Sequence, residues 1–172
     1  MKTKILILFL SISLNLLSQN NTDNYKIMLD SAIIINLNRS YDHYNQELKK
    51  DIKTDNWKSY ISEYSNRLEN IYLIDNSYNP FYLNKNKQDL YNFKNVDLYK
   101  KKNKKLLKKG INAWKISSNL DNNKLTITII DFLITFNNGK YNFANGGGST
   151  TIFEYNCNKM SWELIDSIIN GI

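Results

Sequence analysis

The stretch KLTITIIDFLITFNNGKYNFANGGGSTTIFEYNCNKMSWELI, residues 124–165, decides the fold. Runs of Ile, Thr, Phe and Tyr are separated by NNGK, ANGGGS and NKMS, which supply turn and break residues. β-Branched and aromatic side chains fit a pleated, half-buried surface, and Asn and Gly take the backbone angles that turns require. An antiparallel meander is expected. Within it Leu125, Ile127 and Ile129 alternate with Thr126 and Thr128, whereas Ile130, Phe132, Ile134 and Phe136 take the opposite parity. Side chains alternate faces along a strand, so the buried side must change near Ile129–Ile130. That predicts a bulge or strong bend in this strand.

Working outward, residues 111–120 read as a further strand with Trp114, Ile116 and Leu120 on one face, and 71–74 (IYLI) as a short one. From Tyr25 onward, Met28, Ile34, Leu37, Tyr41, Tyr44, Leu48 and Ile52 recur mostly at helical steps. After the polar break 53–56, Trp57, Tyr60, Ile61, Tyr64, Leu68 and Ile71 repeat that spacing, with Asp55 or Asn56 as cap. The lone proline, Pro80, closes a turn that starts at Asp75, and residues 81–95 are polar and irregular. The fold class that follows is α+β, with N-terminal helices packed on a curved antiparallel β-meander, cone-like in outline.

The first residues have the composition of a leader. Lys2 and Lys4 precede the apolar run Ile5 to Leu17, and Ser18 is followed by Gln19, so residues 1–18 read as a signal peptide and 19–172 as a single α+β domain. The apolar run is shorter than the roughly 20 residues a spanning helix needs, so no stable membrane span is expected. Removing Lys2 and Lys4 lowers the formal charge from +7 to +5. Localisation is expected to be exported, periplasmic or extracellular, where nucleic acid is not a partner. Cys157 is the only cysteine, so no internal disulfide can form, and it reads as a small core residue.

Candidate sites are few. Asp131 stands alone in the apolar run IIDFLI, either as a pocket carboxylate with a raised pKa or as a group turned to solvent or a structural hydrogen bond. His43 is the only histidine, which excludes a multi-histidine metal site, and helical spacing places it off the apolar stripe. Asn145 to Thr150 contains three glycines but lacks the Gly-Lys-Ser/Thr ending of a phosphate loop, so a glycine-broken bulge is expected. Lys100, Lys101, Lys102, Lys104 and Lys105 open a basic run whose partners outside the cytoplasm would be anionic lipid headgroups or acidic glycans, and whose ordinary role is a solvated face. Asp30-Ser31-Ala32 and Asp166-Ser167-Ile168 resemble short O-glycosylation acceptors. No cofactor and no metal are called for.

In outline the chain resembles the nuclear transport factor 2-like and cystatin-like cone folds. The segments Phe153 to Cys157, Trp162 to Leu164 and Gly171-Ile172 look like the endings of small exported proteins of Bacteroidota. The cone folds include enzymes and pure binding modules, and their catalytic pairs have no matching positions here. The function expected is a non-catalytic binding or accessory module of the cell envelope, with an envelope protein, glycan or lipid as partner. One alternative is a small pocket enzyme, a hydrolase or isomerase, using Asp131 with Tyr141 or His43. The other is a basic-patch binder of anionic surfaces.

Overall fold

The computed structural model describes the backbone of residues 2–50, 52 and 54–170, and the side chains of 24–50, 52, 54–88 and 90–169. The expected leader, 1–18, has its side chains outside the described residues. The elements in chain order are α1 (Lys2–Leu48), α2 (Asp55–Glu69), β1 (Ile71–Ile74), α3 (Lys85–Leu90), β2 (Lys94–Asn95), a 3-10 turn (Lys101–Asn103), α4 (Lys104–Lys108), β3 (Ile111–Asp121), β4 (Lys124–Asn137), β5 (Lys140–Asn156) and β6 (Ser161–Asn170). The strands form one six-stranded sheet in the order β2-β1-β3-β4-β5-β6.

β3 to β6 are the antiparallel meander that the turn residues dictate. β1, however, runs parallel to both β2 and β3, which makes the sheet mixed. Parallel neighbours need a crossover connection, and residues 75–110, with α3 and α4 in them, provide it. Among the described residues, no helix is long and apolar enough to cross a membrane.

The sheet is covered on both faces, by different layers. On one face α1 and α2, joined by Leu83 and Phe93 from the start of the crossover, bury Met28, Leu29, Ala32, Ile33, Leu37 and Leu68 against Leu73, Trp114, Ile116, Leu125, Ile127, Ile129 and Phe153. On the other face Val96, Leu98 and Leu107 of the crossover cover Ile74, Ile111, Ala113, Ile134 and Phe136. Burying each such aliphatic side chain contributes roughly 1.5–3 kcal/mol. This two-sided cover explains the parity change in β4. The register with β3 runs unbroken from Ile111↔Ile134 to Asp121↔Lys124, so β4 itself carries no extra residue. What changes is the covering layer, from the helices over residues 125–129 to the crossover over 134–136. The bulge is at the expected height but on the partner strand. Ile130 pairs with Gly148 and Phe132 with Asn145, which leaves Gly146 and Gly147 opposite Asp131 alone.

Three further details differ from expectation. The buried stripe of α1 is Met28, Leu29, Ala32, Ile33, Asn36 and Leu37, while Tyr41, Leu48 and Ile52 are exposed. Ala32, fully buried, lies at the centre of this stripe. The cap of α2 is Thr54, whose hydroxyl accepts from the Trp57 amide at 3.3 Å. Cys157 lies past the end of β5 and is exposed, because the strand stops at Asn156.

Candidate functional site

The buried stripe of α1 is apolar up to Ala32 and Ile33, apart from Asp30, and then turns polar at Asn36, Arg39, Ser40 and Glu47, with the exposed His43 at its margin. The end of α2 brings Tyr64 and Arg67 to the same place, and the sheet adds Asn112 and Trp114 from β3, Asp131 from β4, and Gly146 and Gly148 from β5. Helices and strands therefore enclose a cleft of about 290 Å³ with a partly apolar floor of Leu68, Ile71 and Trp114.

Asp131 is held there by one bond: Arg67 Nη2 donates to Oδ2 at 3.0 Å. Its other oxygen, Oδ1, is buried with no hydrogen-bond partner, as is Ser149 Oγ. An orphaned buried acceptor costs about 1–3 kcal/mol. Burial pushes the Asp131 carboxyl above its ordinary value, and the Arg67 guanidinium only partly offsets this. Tyr64 is raised as well, first by burial and then by the neighbouring Tyr60 hydroxyl. It donates to Ser40 O at 3.2 Å. Arg39 Nη1 donates to Ser167 Oγ at 2.7 Å, and Ser167 Oγ lies 3.0 Å from Thr151 Oγ1. Among the described residues the Arg67 guanidinium makes no hydrogen bond other than that to Asp131, so most of the five donors of its fork are left for a ligand or solvent.

The glycines shape this floor. A Cβ on Gly148 would lie 2.1 Å from Ile129 O, so nothing larger fits between β4 and β5 there. Gly147 takes φ 100°, which side chains rarely adopt. Gly146 leaves its face open, and a Cβ there would stand 3.2 Å from Arg67 Nη2. The run is a bulge that makes room for a guanidinium.

The candidates named from sequence are placed as follows. Asp131 and His43 line the same cleft, with His43 at the rim, 3.9 Å from Glu47 Oε1 and edge-on to Tyr64. Tyr141 is on the opposite face of the sheet, donating to Leu98 O at 2.8 Å, so it is not brought to Asp131. Of the lysine run, Lys101, Lys102 and Lys105 are exposed, Lys100 reaches Asp97 Oδ2 at 3.4 Å, and Lys104 sits 4.7 Å over the Phe136 ring. Ser31 is half-buried and donates to Ile27 O at 2.7 Å, and Ser167, also half-buried, holds Arg39. Among the described residues no cluster of three His, Cys, Asp or Glu could hold a metal.

Arg39, Arg67, Tyr64 and Ser149 escaped sequence reasoning, although a signal was present. The chain has 23 basic residues, and only Arg39 and Arg67 are arginines. Both, with the sole histidine, line one cleft. A larger hollow of about 640 Å³ at the other end of the sheet, between Ile27, Leu120, Phe153, Met160 and Trp162, is lined by no acid and no base. Comparison of the chain with protein-family models, curated proteins and solved structures finds no match, so the functional reading rests on this geometry.

Proposed function

We propose that the protein is an exported, non-catalytic binding module of the cell envelope, and that its ligand sits in the cleft between α1, α2 and the β4–β5 bulge. The observation that carries this is the gathering of both arginines and the only histidine around a carboxylate with one orphaned oxygen. Arginine differs from lysine in being a rigid planar fork that is less strongly hydrated, suited to a partly buried site. Buried polar atoms without partners are uncommon in folded proteins and mark places where another molecule completes the network. The leader composition of residues 1–18 supports export.

The test is side-chain NMR of the chain from Gln19 onward, titrated with the low-molecular-mass fraction of a cell-envelope extract. Shifts confined to His43, Trp114 and Tyr64, and lost in Arg39→Met and Arg67→Met, are expected. Shifts that survive both substitutions, or no shift at these residues, overturn the reading. Analysing the extract afterwards separates binding from catalysis. The raised carboxyl of Asp131 beside Arg67 is the one feature that favours a pocket enzyme. Conversion of a component that stops in Asp131→Asn would establish that second reading.

A further inference from the structure

The 290 Å³ cleft does not end at Arg67. A second hollow, of about 500 Å³, continues on the far side between α2, the end of α4 and the strand ends. Arg67, Asn112 and Gly146 line both, so the guanidinium stands in the middle of one trough rather than at the back of a pocket. The second hollow has Leu133 and Ala144 as an apolar floor, the amides Asn66, Asn70 and Asn145 in its walls, and Lys109 at its edge. Leu133 is 48% exposed on that floor, although it lies in the middle of the sheet.

The charges along the trough are Arg39, Arg67 and Lys109 against Asp131 and Glu63. Three cations therefore face two carboxylates, one of which, Asp131, is already bonded to Arg67, and the guanidinium keeps further donors for a ligand. A planar carboxylate matches such a fork with two parallel bonds. On both sides of the fork, side-chain amides with short apolar floors suit a chain of hydroxyl-bearing rings, whose edges hydrogen-bond and whose faces are apolar.

Resting on the reading of this cleft as a ligand seat, we infer that the ligand is a short acidic saccharide lying along the trough, with a ring carboxylate on Arg67 and a second acidic group towards Lys109. The amides of Asn112 and Asn145 contact its hydroxyls, Asn66 and Asn70 being bonded to each other, and Gly146 keeps the approach to the guanidinium open.

Isothermal titration of the chain from Gln19 onward with trigalacturonate, its methyl ester and maltotriose tests this. The acid is expected to bind at least tenfold more tightly than either neutral sugar. Arg67→Met and the exposed Lys109→Gln should each weaken it by tenfold or more, while Lys140→Gln, which removes the same charge at the β4–β5 turn, should not. Since Arg67→Met also removes a bond inside the fold, Lys109→Gln and a melting curve keep the result interpretable. Equal binding of acid and ester overturns the inference, as does tighter binding of a sugar phosphate. Loss in Lys101→Gln equal to that in Lys109→Gln would move the ligand to the basic face and overturn it too. If no uronate binds while the envelope extract still shifts His43 and Trp114, the ligand class is wrong and the cleft stands. If neither responds, both fall.

Discussion

At the scale of single residues, the bulge glycines and Asp131 make opposite demands on stability. Gly148 is the only residue type that fits beneath the Ile129 carbonyl, since its absent Cβ would be 2.1 Å from that oxygen. Gly148→Ala must push β4 and β5 apart next to the cleft, and a loss of more than about 3 kcal/mol is expected in denaturant unfolding. Asp131, by contrast, is held at some cost. Its carboxyl is raised above the ordinary 3.8 because burial outweighs Arg67. The folded protein therefore holds that proton more tightly than the unfolded chain. The contribution is fully present below the ordinary value and is lost as pH rises through the folded value. Asp131→Asn cannot titrate, so the stability of the natural chain relative to the variant should increase as pH falls from neutral towards that range. Parallel pH profiles for the two proteins would show that Arg67 cancels the burial.

Among the elements, the 3-10 turn and α4 divide the lysine run into two kinds of residue. Leu107 is fully buried and Lys104 lies over Phe136, whereas Lys101, Lys102 and Lys105 stand in solvent. Lys104→Glu should cost about 1 kcal/mol, from the lost ring contact and stem packing, and Lys101→Glu should be nearly neutral in thermal melting. Equal effects would mean that the run acts only through its net charge. The same elements show what was legible in advance. The strand runs and turns of the meander were readable because Thr, Ile and Phe alternate and Asn and Gly interrupt them. The rotation of α1 was not, because Ile34, Tyr41 and Leu48 are as apolar as the residues that face the sheet. Which of them is buried is decided by packing against the sheet, and that is a tertiary effect. His43 stays exposed, as its place off the apolar stripe implies, and reaches the cleft only at its rim. The parallel pairings of β1 left no local signature either, since a crossover is specified by what packs over it. Asp131 was visible as a lone carboxylate in an apolar run. Its partner Arg67 was not, being 64 residues away in sequence.

For the whole molecule, the consequence of two cores on opposite faces of one sheet is that the cleft depends on a layer it does not touch. β3 alternates between them: Ile111 and Ala113 belong to the crossover core, while Asn112 and Trp114 face the helices and the cleft. β4 does the same, with Asp131 on the cleft side, and Ile134 and Phe136 under α4. Loosening the crossover layer must therefore release strands that also position the site. Leu107→Ala removes a fully buried side chain at the centre of that layer, and a loss of about 2–5 kcal/mol is expected. If the cores are coupled through the shared strands, unfolding of the variant remains a single transition, with tryptophan fluorescence and far-ultraviolet dichroism changing together. Dichroism falling before fluorescence would mean that the crossover layer detaches on its own, leaving Trp114 packed under the helices. In that case the cleft would survive the loss of α4, and the trough would lose only the end formed by Leu106 and Lys109.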